Sequence, residues 1–153
     1  EYLMLSRIQE SADPAGCNEA CSRLYPSPVT ATADLDQQDT LSIEADWREY
    51  TEPDLRKGFG KAIQTVAADI ESAAIERVSG VDFYEINVPK IHAEYWCSAL
   101  NQARLVSHYR HDLPAEPGEI SKAPGSEEWM AMLQSEIYGI IMEFLVTRVL
   151  WIK

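Results

Sequence analysis

Cys97, Asn101, Arg104 and His108 recur every three or four residues along one stretch of chain, and His111 follows at the same spacing. At about 100° per residue these five positions fall within about 80° of arc, so on a helix they share one face. A guanidinium flanked by an amide and an imidazole can hold a carboxylate or a phosphate. The same row also suits a strip facing water, or polar groups bonded to loop carbonyls and acidic side chains. All three readings fit the residues, because a polar cluster marks a site in only some proteins. Cys97, Asn101, Arg104 and His108 are the candidate ligand- or partner-binding residues.

Other constellations are weaker. His108-x2-His111 and Cys17-x3-Cys21 offer side chains of zinc-ligand type. Neither pair has the usual local geometry, since Cys-x2-Cys normally sits on a tight turn. His92-x-Glu94 matches part of the zinc deaminase signature, but the P-C-x-x-C segment which that chemistry also needs is absent. Cys97 can be drawn as a thiol–imidazole pair with His92 or His108. Beside Trp96 it reads more simply as a small core residue. Glu136 and Glu143 stand seven residues apart, without the Glu-x-x-His of di-iron bundles. Phosphate-loop, dinucleotide and serine-hydrolase signatures are absent. The expectation is therefore no catalytic residue, no metal and no cofactor.

The stripe must be carried by a helix over 90–112. Pro89 opens it, and apolar residues fill the rest of its circumference, which makes it the central packing element. Before it, Thr51-Glu-Pro-Asp54 reads as a helix start with Thr51 as cap. Leu55, Phe59, Ile63, Val66, Ile70, Ala74 and Val78 then predict one helix over 54–79. Gly58 and Gly60 weaken its first part, with close packing as the expected compensation. Alternation over 81–88 predicts a strand, which needs a mate from this chain, from preceding residues or from a second subunit. Ser126 caps a last helix over 127–151. Shorter helices are predicted over 2–12, 17–24 and 42–50, and loops over 29–41 and 114–125. The fold class is mainly α: a single helical domain spanning 1–153, with three to four main helices and one or two short β-strands.

Composition limits the partners. The chain has 153 residues and a net charge of -12, from 25 acidic and 13 basic residues. That field has the wrong sign for nucleic acid or for anionic membranes. It is compatible with a basic partner, and equally with a device for solubility. The most apolar run, 137–152, contains Glu143 and Arg148 and is too short for a membrane span. Three cysteines do not make a disulfide framework, and the opening EYLMLSRIQES has no signal-peptide core. A reducing cytoplasm is expected. The chain does not open on Met, so Glu1 reads as the start of a fragment or a processed form. Four tryptophans read as core and interface residues, and Trp151 with Ile152 as an exposed apolar tail.

The order of these pieces resembles a bacterial family known as domain of unknown function 2017. The resemblance rests on Arg23-Leu-Tyr-Pro-Ser-Pro28 followed by an acidic spacer and Trp47, and on Pro53-Asp-Leu55 opening a helix. It rests also on Ile86-x-Val-Pro89 leading to Trp96-x3-Leu-Asn101-x2-Arg-Leu105, and on Trp129-x3-Leu133 opening the last helix. It covers most of 20–150. The resemblance implies no established enzymatic activity. It implies a setting near regulated proteolysis, since some members are encoded beside an adaptor of the Clp protease. It also implies a strand ahead of the first helix, which would supply the missing mate. The function expected is a non-catalytic cytoplasmic protein-interaction or regulatory module, self-associating as a homodimer. The alternative is a small-molecule or metal-binding protein using the polar stripe.

Overall fold

The computed structural model describes residues 5–29, 36–113 and 123–151. Its helices are α1 (Ile8–Ser11), α2 (Asn18–Leu24), α3 (Gln37–Asp46), α4 (Glu52–Glu71), α5 (Ala93–Arg110) and α6 (Glu127–Leu145). Between α4 and α5 lies an antiparallel hairpin of β1 (Ala74–Val78) and β2 (Val81–Glu85). The fold is mainly α with one short hairpin.

α5 is the hub, in contact with α1, α2, α4 and α6. Its buried residues are Ala93, Trp96, Ala99, Leu100, Gln102, Ala103 and Val106. Three of these are alanines, and such small side chains let neighbouring helices approach closely, with Trp96 and Leu100 filling the volume between them. Leu5, Ile8 and Ala12 join this core from the N-terminal side, with Val66 and Ile70 from α4 and Tyr138 and Leu145 from α6. A smaller cluster of Ala20, Leu24 and Val106 holds α2 on the far end of α5. The Arg23-Leu-Tyr segment is architectural. Leu24 is buried, the Arg56 guanidinium stands 3.9 Å from the Tyr25 ring centroid, and Phe59 packs on the same ring.

Several boundaries differ from the sequence reading. α3 begins at Gln37, inside the expected loop, because Asp36 caps it: its Oδ1 accepts from the backbone N–H groups of Gln38 and Asp39, both at 2.8 Å. α3 does not end before α4. A π turn, Trp47–Thr51, joins them, and Thr51 makes no side-chain cap. Pro53 follows within one turn, and a wider turn accommodates a residue that has no N–H to give.

α4 stops at Glu71 rather than at 79. Ala74 and Val78 continue the apolar spacing of the helix, but they belong to β1. The turn explains this. Ser79 (φ 53°) and Gly80 (φ 82°) are both left-handed, the requirement of a two-residue hairpin loop matching strand twist. The strand over 81–88 thus finds its mate within the chain, with Ile75 opposite Tyr84 and Arg77 opposite Asp82. Ile86 and Val88 leave the hairpin and pack on the main core.

Gly58 and Gly60 show no close packing: a Cβ on either would meet nothing within 4 Å. Ser126 caps α6 as expected, accepting from Trp129 N–H at 3.1 Å. With its terminal π turn, Val146–Leu150, the last helix runs Glu127–Leu150, and those 24 residues are long and apolar enough to cross a membrane by length and composition. The shorter run considered from the sequence was not. Of the tryptophans only Trp96 is buried, and Trp151 is 79% exposed. Leu3, the acidic spacer at 30–35, the loop at 114–122 and Ile152 lie outside the described residues.

Candidate functional site

The polar stripe of α5 divides into two parts. Asn101, Arg104 and His108 line one shallow pocket of about 290 Å³ with Leu105, Tyr109 and Ser135 of α6. Cys97, one turn earlier, packs against the main core instead. Burial pushes its thiol up, and Glu94 adds to the effect. A thiol held protonated is a poor nucleophile, and Cys97 is not among the residues that line the pocket.

Arg104 is held by shape. Its guanidinium lies against the backbone of α6 at Gly139, where an added Cβ would meet Cζ at 3.5 Å. The Nε atom is buried and has no hydrogen-bond partner among the described residues. A buried donor left unpaired costs about 1–3 kcal/mol, so Arg104 is held at a cost beside the pocket that it lines. Asn101 is exposed, while His108 is half-buried with its ring edge-on to Tyr109. The arrangement can hold a small anion, with Arg104 supplying the charge.

The second constellation was not read from the sequence. Asp69, near the end of α4, is 8% exposed. Its carboxylate sits 3.0 Å from His92 Nδ1 and accepts from Trp96 Nε1 at 2.8 Å. An Asp–His pair is half of a hydrolase relay. Trp96 and the Tyr95 ring, edge-on to His92 at 6.4 Å, pack around it, and the pair joins two helices. One signal was available: Asp69 falls between Val66 and Ile70 on the apolar face of α4, and an acid placed there requires donors.

His111 and Cys17/Cys21 do not converge with the pocket. His111 Nδ1 approaches Glu127 at 4.0 Å, and Cys21 Sγ donates to the Pro14 carbonyl at 3.7 Å. Among the described residues no three His, Cys, Asp or Glu side chains stand close enough to hold a metal ion. A further cleft, about 230 Å³, has Arg7, Ser11, Arg110, His111 and Gln134 in its wall. Its cations are already engaged, Arg7 with Glu10 and Arg110 with the Asp13 carbonyl.

The Trp96-x3-Leu-Asn101-x2-Arg-Leu105 segment thus supplies both the core of the hub helix and the arginine of the pocket. A family model described as Domain of unknown function (DUF2017) matches residues 3–149. The chain belongs to this family. Neither the curated proteins nor the solved structures include a match to it. In this DUF2017 chain the family-like segments build the hub and its contacts, while large apolar side chains remain on the outside. The hairpin exposes Ile75, Val78, Val81, Phe83 and Tyr84, and α6 exposes Met130, Ile140 and Phe144.

Proposed function

We propose that this DUF2017 protein is a non-catalytic, cytoplasmic interaction module that acts in regulation by binding another protein. The observation behind this reading is the amount of apolar surface left open. Every residue of the hairpin is exposed, including Ile75 at 65% and Phe83 at 55%. Monomers rarely leave contiguous apolar patches uncovered beyond a few hundred Å², and larger ones mark interaction sites. A two-stranded hairpin alone is marginal in water and offers two free edges. A homodimer joined through the hairpin is the simplest assembly of this kind. The Clp-adaptor setting implied by the family resemblance is one regulatory context for such a module.

Sedimentation equilibrium across a wide concentration range tests the homodimer. Wild type should associate, and Phe83→Lys should shift the equilibrium at least tenfold toward monomer. A protein that stays monomeric and retains nothing from its host in pull-downs would refute the interaction reading.

A second reading, small-anion binding at Arg104, is favoured by the pocket that Arg104 lines with Asn101 and His108. A thermal-shift screen of phosphate and small carboxylates tests it. An upward shift that Arg104→Met abolishes supports it, and equal behaviour of the two proteins removes it.

A further inference from the structure

α6 carries two seven-residue apolar rows. Ala131, Tyr138 and Leu145 form the inner row, and all three are buried. Met130, Leu133, Ile137, Ile140 and Phe144 form the outer row, at spacings of three, four, three and four. At about 100° per residue the outer row lies roughly 120° around the helix from the inner one. Leu133 and Ile137 are half-buried, while Met130 (42%), Ile140 (65%) and Phe144 (59%) are open. Alternating three–four spacing is the pattern of a seam that receives another helix, each side chain entering a hole on the partner. This seam is about 21 Å long, or four turns.

Charge says which helix. Glu136 and Glu143, both exposed, stand seven apart along one flank of the seam. In paired helices the flanking positions choose the partner by sign. An antiparallel second copy is disfavoured, because it brings the two glutamate rows together. A helix with lysine or arginine facing that flank meets no such cost. Arg148, one turn past Phe144 and exposed, is a cation at the C-terminal end of the seam, so the partner's basic residues belong opposite Glu136 and Glu143.

The geometry points to the outer seam of α6 as a docking site for a basic amphipathic helix of another protein. This rests on the interaction reading above and names its surface and the partner's chemistry. The open seam, with Met130, Ile140 and Phe144 exposed, supplies apolar surface toward the roughly 800 Å² that one side of a standard interface buries. The glutamate flank supplies the polar rim. Binding should weaken with salt, because rim charges act chiefly on encounter.

The test uses the full chain and two labelled synthetic peptides of four helical turns. Both carry leucine at three–four spacing; one has lysine on its flanks and the other glutamate. Fluorescence anisotropy should show the lysine peptide bound at least tenfold more tightly than the glutamate peptide. Ile140→Ser and Phe144→Ser should each weaken it at least tenfold. Glu136→Lys with Glu143→Lys should reverse the preference between the peptides. All four positions are exposed, and an unchanged circular dichroism melt shows that the fold is intact. Seam variants that bind like wild type overturn the proposal, since charge alone would then account for affinity. So does a concentration-dependent dimer lost in Phe144→Ser, or capture by phosphatidylcholine vesicles that depends on Phe144. If a host partner is retained by wild type and Phe144→Ser alike, the interaction reading stands and this surface fails. If wild type retains none and also stays monomeric, the reading itself fails.

Discussion

Asp69 accepts a hydrogen bond from the Trp96 indole nitrogen at 2.8 Å, across 27 residues of sequence and between two helices. The same carboxylate holds His92 Nδ1 at 3.0 Å. One buried acid thereby fixes the C-terminal end of α4 to the N-terminal end of α5 on either side of the exposed hairpin. Trp96→Phe keeps most of the packing but leaves the carboxylate short of a donor, which should cost about 1–3 kcal/mol. For a chain of this size that lowers Tm by roughly 2–4 °C per kcal/mol. Asp69→Ala should be destabilising in the same range. The double variant should lose clearly less than the sum, with a coupling of at least about 0.5 kcal/mol in a thermal double-mutant cycle. Additive losses would mean that the two residues act independently.

Arg104 and Gly139 give a prediction of opposite sign. A Cβ at Gly139 would meet Arg104 Cζ at 3.5 Å, an ordinary van der Waals distance. Alanine therefore fits, and in a helix interior it is favoured over glycine by about 0.8–1 kcal/mol. Gly139→Ala should raise Tm by a few degrees. Gly139→Leu needs the space that the guanidinium occupies. It should lower Tm below wild type and abolish any anion-induced thermal shift.

The hub helix and the cap of α6 were legible because each rests on local chemistry: apolar residues around all of 90–112 but one polar stripe, and Ser126 before an acidic first turn. The hairpin was half legible. Alternation marked 81–88, but Ala74 and Val78 lie at four-residue spacing from Ile70, which fits a helix as well as a strand. Only the left-handed pair Ser79–Gly80 decides between them. The site was split by tertiary packing that no spacing encodes. Asn101, Arg104 and His108 share a pocket because Ser135 and Gly139 of α6 stand opposite them. Cys97 faces the core because that cluster also takes in Val66 and Ile70 of α4 and Val149 and Leu150 of the π turn after α6. Asp69 was passed over because its donors arrive from 23 and 27 residues away.

Stability should fall on the alkaline side. Burial raises the Cys97 thiol and, more deeply enclosed, the Tyr138 phenol, whose hydrogen bond with Gln134 opposes the rise only in part. Both groups keep their protons to higher pH in the folded chain than in the unfolded one. Above the unfolded values of about 8.5 and 10 the native state binds more protons, so the free energy of unfolding drops as pH rises. The contribution is complete below about pH 8.5 and is lost as pH climbs through the raised folded values. Tyr25, raised chiefly by desolvation, adds to the upper limb. Melting curves across this range should decline in two stages, and Cys97→Ala should remove the first. A flat profile would contradict the burial of both groups.

The hairpin should open far more readily than the hub. All ten of its paired residues are exposed, and Arg77 with Asp82, its bidentate ion pair, lies at the surface. Such a pair contributes about 0–1 kcal/mol, too little to hold a two-stranded ladder alone. Local opening free energies follow buried contacts rather than hydrogen-bond count. In hydrogen–deuterium exchange of the dilute protein, amides of 74–85 should exchange at least a hundredfold faster than those of 96–106. Gly80→Val strains a left-handed position and should release the hairpin amides completely, with Tm lowered by no more than about 2 °C, because no core residue depends on the turn. If a binding partner or a second copy covers the hairpin, protection over 74–85 should rise with its concentration. Slow exchange that is independent of concentration would show that the hairpin is held within the monomer itself.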